Sequence, residues 1–350
     1  MKNAIRTTFA VILALILFSC CSRITRLLTH SDIIKTAAPG PLAVLGNRIV
    51  DAKGAAVALA GLNICYPLVI QQAGHWNEDY FRELSSWGAY IVRVPIDPGT
   101  YRQLGSAATF QILDQAIAWA KKYGMYTIID WHSVGNAVAG IFQPEYGDSM
   151  RTTPAEMKEF WKAAAARYAN EPAAAFYEIF NEPSAMSYLG GSLTWDEWKA
   201  VVDDIIDAIY ANNPHAIPVV GGLEWAYDLT AVGASPLRNT GVVYAAHPYP
   251  GHAAQPWETN WENSFGYLSA TYPVMLTEFG YDPDDTIMPS VYKADDDYGR
   301  RIIAYARQKG MSWTAFVFCK CDGWPMPLFS EWTNYTPTVS GKFFKGEMQE

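Results

Sequence analysis

The sequence predicts an α/β fold: a (β/α)8 TIM barrel with a short N-terminal β-hairpin closing the barrel floor. Three observations carry this. Eight short, near-continuous apolar runs recur along the chain, and amphipathic stretches separate most of them. No glycine-rich dinucleotide fingerprint follows the first run, where Ile64-Cys65-Tyr66-Pro67 stands, so an open nucleotide-binding sheet loses its main support.

In order, the hairpin is read over 42–57 with Asp51-Ala52-Lys53-Gly54 at its centre. The strands follow at 57–64, 90–96, 125–131, 174–180, 217–220, 242–246, 274–277 and 312–318. Helical periodicity fills 77–87, 109–123, 154–168, 195–211, 261–270 and 296–308, and the tail 341–348 is the last helix. Thr153-Pro154 is an N-cap followed by proline at the first helical position. Gly88, Gly124 and Gly310 follow helix ends just before the next strand.

Ahead of this domain, Lys2 and Arg6 precede an apolar run at 9–18 that ends in Ser19-Cys20-Cys21, the layout of a secretory signal too short to span a bilayer. Residues 1–21 are read as a signal peptide and 22–38 as a tether, leaving 39–350 as one domain. Leu17-Phe18-Ser19-Cys20 resembles a bacterial lipobox, with Cys20 or Cys21 as the acylated residue. The chain is therefore expected to be exported and lipid-anchored at the cell envelope, or secreted if the segment is an ordinary signal peptide.

Half of the 350 residues are hydrophobic, which excludes a disordered chain, and 26 basic against 35 acidic side chains leave a net charge of −9. With no basic stripe to neutralise phosphates, nucleic acid is excluded as a partner, and membrane contact is expected only through the anchor. The chain holds 13 Trp, 21 Tyr and 15 Phe, which suit either core packing or stacking on sugar rings. Beyond the signal only Cys65, Cys319 and Cys321 remain, too few for a disulfide scaffold and without zinc spacing. In a barrel, Cys65 ends the first strand and Cys319 the neighbouring eighth, so Cys65 is expected to pair with Cys319 or Cys321.

In a (β/α)8 barrel the reactive side chains sit at the C-terminal ends of the strands. There the sequence places Arg93, Asp97, His132, Asn181, Glu182, Glu224, His247, Tyr249 and Glu278, with aromatics around Trp313 and Phe316. Glu182 and Glu278 each follow a buried run, where an uncompensated carboxylate costs several kcal/mol. Glycoside hydrolysis needs such a pair, one carboxyl kept protonated and the other ionised. Arg93 and the Tyr249 hydroxyl can hold Glu278 ionised, while neutral Asn181 and aromatic surroundings can keep Glu182 protonated.

These residues stand in segments that resemble glycoside hydrolase family 5, the cellulase family. Phe176-Tyr177-Glu178-Ile179-Phe180-Asn181-Glu182-Pro183 is similar to its acid/base signature and Thr277-Glu278-Phe279-Gly280 to its nucleophile strand. The likeness extends through the opening 46–51, Ala60-Gly61-Leu62-Asn63, Arg93-Val94-Pro95, Asp130-Trp131-His132 and His247-Pro248-Tyr249. It implies a retaining mechanism with Glu182 as acid/base and Glu278 as nucleophile. It also implies that Asn181 holds the sugar 2-hydroxyl, that Arg93 and Tyr249 orient the nucleophile, and that His132 and His247 line the same subsite. The departure lies on the last strand, where the family's platform Trp falls on Phe316, with Trp313 three residues earlier and Trp324 in the following loop as a substitute.

The implied activity is an endo-β-1,4-glucanase working as a monomer on β-glucan, without cofactor or metal. Mannan, xyloglucan and mixed-linkage glucan remain alternatives. A noncatalytic carbohydrate-binding barrel is opposed by the presence of both carboxyl groups. A metal-dependent barrel hydrolase is opposed by a first strand ending Asn63-Ile64-Cys65 and by scattered histidines.

Overall fold

The computed structural model describes residues 39–320 and 323–350. The expected signal peptide, the tether and Cys321 lie outside them. Among the described residues no helix is long and apolar enough to cross a membrane.

The chain enters through an antiparallel hairpin of β1 (Leu42–Leu45) and β2 (Arg48–Asp51). The sequence centred this hairpin on 51–54; its turn is instead Gly46-Asn47, where Gly46 takes φ 59°, the left-handed geometry a two-residue hairpin turn demands. Then come β3 (Ala60–Ile64), β4 (Ile91–Ile96), β5 (Tyr126–Trp131), the short β6 (Val134–Asn136) and β7 (Ile141–Phe142), β8 (Phe176–Glu178) and β9 (Glu182–Pro183). The chain continues with β10 (Ile217–Gly221), β11 (Val243–Ala245), β12 (Val274–Phe279) and β13 (Ser312–Phe318). Strands β3-β4-β5-β8-β10-β11-β12-β13 close into a barrel in which every pairing is parallel, and β7-β6-β9 form a small separate sheet. The expected (β/α)8 architecture is present.

The expected helices lie where the periodicity placed them, two of them altered, and the short helices Pro67–Gln72, Leu223–Ala226 and Pro289–Tyr292 are additional. The expected helix at 109–123 belongs to a longer segment, Pro98–Lys122, broken at Gly105, whose φ 76° and ψ 162° interrupt the helical geometry. The expected 261–270 helix splits into Trp257–Ser264 and a 3-10 stretch Gly266–Ala270.

Side chains two apart along the strands build the interior in layers. At the floor, Ile91, Ile128, Phe176, Val219, Val243 and Met275 form an apolar cluster that Leu42 and Ile49 of the hairpin cover, so the hairpin closes the barrel from below. One step higher the inward positions turn polar: Asn63, Arg93, Asp130, Glu178 and Thr277, all buried. That change of chemistry along each strand makes the floor a core and the top a site.

Adjacency of the first and last barrel strands brings Cys65 Sγ to 3.0 Å from Cys319 Sγ, and Cys319 is disulfide-bonded. The Cys65–Cys319 approach is a contact, longer than the ~2.05 Å of an S–S bond.

Candidate active site

Arg93, on β4, organises the upper barrel. Its guanidinium is buried, so its N–H groups need partners in protein. Nε donates to Glu178 Oε2 at 2.5 Å, one terminal nitrogen to Asn63 Oδ1 at 3.0 Å and Glu278 Oε2 at 2.9 Å, and the other to Asn181 Oδ1 at 2.6 Å. Asp130 Oδ2 lies 3.1 Å away. One cation thereby ties together β3, β4, β5, β8, β12 and the segment leading to β9.

Glu278 is buried near the end of β12, and its second oxygen accepts from the Tyr249 hydroxyl at 2.6 Å. Burial works to raise its pKa, but His247, Arg93, His132 and the Tyr249 hydrogen bond outweigh it, and the carboxyl is held below its ordinary value. Glu182 opens β9, which pairs with β6 and so places the carboxyl over the barrel mouth. Its pKa is raised, by burial first and by the Glu278 charge, with a hydrogen bond from His247 working against them. Carboxyl oxygens of the two residues lie within 4.8 Å of each other. The two environments push the pKa values of the pair in opposite directions.

Two histidines flank this pair. His247 follows β11; its backbone N–H donates to Ala226 O at 3.0 Å, Nδ1 lies 3.2 Å from Glu182 Oε1 and Nε2 lies 2.9 Å from Thr277 Oγ1. Burial opposes its charge, yet the surrounding carboxylates raise its pKa to about 9. His132 follows β5 with Nδ1 at 2.6 Å from Asp130 Oδ2. Asn181 has its Oδ1 committed to Arg93, so its NH2 is the group it can offer to a sugar hydroxyl.

Above the carboxyl groups opens a cleft of about 590 Å³, lined by Tyr66, His132, Tyr146, Tyr292, Phe316 and Trp324 among others. Phe316 and Trp324 stand nearly parallel, with centroids 6.1 Å apart and planes at 16°. Trp313 is not part of this cleft. Strand alternation turns it to the helix side, where it packs edge-on to Phe279 and against Phe344 of the last helix, Val339–Gln349. Glu224 is exposed and makes no part of the cleft wall.

The family model for cellulase, glycosyl hydrolase family 5, matches residues 50–322. The chain belongs to glycosyl hydrolase family 5. A β-glucanase of Saccharophagus degradans, solved in complex with cellotetraose, is 35% identical, with a TM-score of 0.84 over 92% of this chain and 95% of that one. An endoglucanase of Clostridium saccharobutylicum is 25% identical over 98% of this chain and 72% of its own length. The catalytic domain of a Thermobifida fusca endoglucanase shares the fold, with TM-score 0.70 at 22% identity over 89% of this chain and 98% of that one. The protein is thus a glycoside hydrolase.

Within this family 5 barrel the structure gives parts to Asn63 and Thr277, which the sequence left without a role, and to Glu178, which strand alternation could have turned into the barrel or left paired elsewhere. Asn63 accepts from Arg93 and donates to the backbone oxygens of Thr277 and Thr314, both at 3.0 Å. Thr277 and Glu178 join His247 behind Glu182. Their signal was present: each is a polar residue inside an otherwise apolar strand. Glu182, His247 and Glu278 are close enough to share one cation, but Glu278 already carries Arg93 and Tyr249, and a metal there would meet the guanidinium. The donor set suits a proton-transfer site better than a metal site.

Proposed function

We propose that the protein is a retaining endo-β-1,4-glucanase in which Glu278 attacks the anomeric carbon and Glu182 serves as acid and then as base. The observation that carries this reading is the unequal pair: two carboxyl groups within 4.8 Å, one whose ionised form Arg93 and Tyr249 favour, the other whose protonated form burial and the Glu278 charge favour. Retaining enzymes keep their carboxyl groups about 5 to 5.5 Å apart, whereas inverting enzymes leave about 6.5 Å or more for a water. Glu182 protonates the leaving oxygen as Glu278 forms the glycosyl-enzyme. Glu182, now ionised, takes a proton from the water that releases the sugar. The Asn181 amide and His132 face the same cleft to bind hydroxyls, and Trp324 with Phe316 offers the stacking face.

A β-1,4-glucan is supported as substrate by the related endoglucanases and by the cellotetraose bound to the Saccharophagus degradans enzyme. A reducing-sugar assay on carboxymethylcellulose, barley glucan, xyloglucan and mannan, with Glu278→Gln as the blank, should give its highest rate on a glucan with β-1,4 bonds. Faster release from mannan would overturn the substrate. Azide should rescue Glu182→Ala and yield a β-glycosyl azide; an α-product would contradict retention. Export and lipid anchoring are read from Lys2 to Cys21. Labelled palmitate should enter the wild-type chain and be lost when Cys20 and Cys21 are both replaced by Ser.

A further inference from the structure

Glu178 takes no part in that displacement, yet it is fully buried on β8 with both oxygens engaged. Oε2 accepts from Arg93, and Oε1 accepts from the Thr277 hydroxyl at 2.7 Å. That hydroxyl also lies 2.9 Å from His247 Nε2, and His247 Nδ1 lies 3.2 Å from Glu182 Oε1. A line of four side chains therefore runs from a carboxylate deep in the barrel to the acid/base at its mouth.

Proton counting gives this line a direction. An ionised carboxylate only accepts, and a threonine hydroxyl has a single proton to give. Arg93 keeps Glu178 ionised, so the Thr277 proton points to Glu178 and its lone pair faces His247. Nε2 must then carry a hydrogen. We propose that Glu178 is a positioning residue that, through the Thr277 hydroxyl, pins His247 with hydrogen on Nε2, leaving one shared proton between His247 Nδ1 and Glu182 Oε1. The proposal rests on Glu182 being the acid/base. The charged and titratable groups around the imidazole are Glu178 from β8, Glu182 from β9, Glu278 from β12, and Arg93 of β4 behind them. His132 acts on Glu182, and His252 beyond Tyr249 has its pKa lowered to about 4 by burial and stays neutral.

Glu178→Gln reverses the line without changing its shape. The amide oxygen stays with Arg93 and the amide N–H donates to Thr277, whose proton turns to His247 Nε2. The ring hydrogen moves to Nδ1 and donates to Glu182. Loss of one negative charge acts in the same sense, and ionised Glu182 is favoured. The alkaline limb of kcat/KM against pH should move to lower pH by about one unit or more. Thr277→Val, which leaves the Glu178–Arg93 pair intact, should move it in the same direction, while Thr277→Ser should keep it at the wild-type position. If Glu178→Gln does not fold, the two Thr277 variants decide.

An alkaline limb that stays in place in Glu178→Gln or Thr277→Val while kcat falls would overturn the proposal, since a purely structural residue predicts that result. Nitrogen-15 spectra of labelled histidine, recorded alkaline of the ring titration, give a readout independent of activity. Hydrogen on Nε2 in the wild type and on Nδ1 in Glu178→Gln supports the proposal, and hydrogen on Nδ1 in the wild type overturns it. A wild type inactive on every glucan would sink the functional reading and leave this spectroscopic test standing.

Discussion

At Glu278 the ionised form rests on two close donors, Arg93 at 2.9 Å and the Tyr249 hydroxyl at 2.6 Å. Tyr249→Phe removes one of them while burial keeps pressing the pKa upward. The acid limb of kcat/KM should rise by about one unit, and kcat should fall roughly ten- to a hundredfold, the value of one hydrogen bond to a charge. A pH–rate profile with its acid limb unmoved would mean that His247, Arg93 and His132 set the ionisation without this hydroxyl. Tryptophans separate just as cleanly. Trp324→Ala should raise KM by up to about tenfold through lost stacking. Trp313→Ala should cost roughly 3 to 5 kcal/mol of stability through a core cavity, read as a lower unfolding midpoint. At this scale the pair that the barrel mouth brings together, Glu182 and Glu278, was legible because carboxylates after buried runs are rare. The platform position falls on Phe316, with Trp313, three residues earlier, beside it as a candidate; strand parity puts 313 and 316 on opposite faces and takes Trp313 out of the cleft. Asn63 and Thr277 stayed unread because a single polar residue inside an apolar run does not say which way it points.

Elements of ordinary length were legible, and the short ones were not. The β7-β6-β9 sheet that carries Glu182 over the barrel mouth has strands of only two or three residues, below the reach of any periodicity. The turn after β10 is equally hidden: Glu224, Trp225 and Ala226 all take φ near +57°, a left-handed run without glycine. Such a run costs about 1 kcal/mol or more per residue. It presents Ala226 O to the His247 backbone N–H at 3.0 Å, so it is coupled to the position of the imidazole. Glu224 is exposed, and Glu224→Gly should relieve its share, stabilising the fold by about 1 kcal/mol and raising Tm by about 2 °C. An unchanged or lower Tm in a calorimetric scan would show that this residue carries no strain. The opposite case is Gly61 on β3, where a Cβ would fall 1.8 Å from the Ile91 carbonyl oxygen. Gly61→Ala forces β3 and β4 apart, and loss of the cooperative thermal transition is the expected outcome.

For the molecule as a whole, apolar runs announced a parallel sheet buried on both faces, and their count of eight with no dinucleotide fingerprint after the first favoured the closed barrel over the open sheet. What they conceal is that the barrel's upper interior is a charged cluster joining most of its strands, so folding and titration are linked. Glu178 has its pKa lowered to about 2: burial raises it, but Arg93 and His247 outweigh burial. Its contribution is therefore present above the unfolded value of about 4.3 and lost as pH falls through the folded one. Glu278, also lowered, acts in the same sense. Glu182 and Asp130 are raised, so stability declines as pH climbs past ordinary carboxylate values and they are forced to ionise in place. His247 is raised to about 9, and its contribution, complete below about 6.5, is lost as pH rises through 9. These signs place the stability maximum near the unfolded carboxylate values, at about pH 4 to 4.5, with a decline from there toward pH 9. Thermal unfolding followed across that range should show Tm falling from pH 6.5 to 9, and His247→Gln, which has no proton to lose there, should flatten the fall. A wild-type Tm that is level over this window, or a variant that declines as steeply, would mean the charged cluster does not couple to folding.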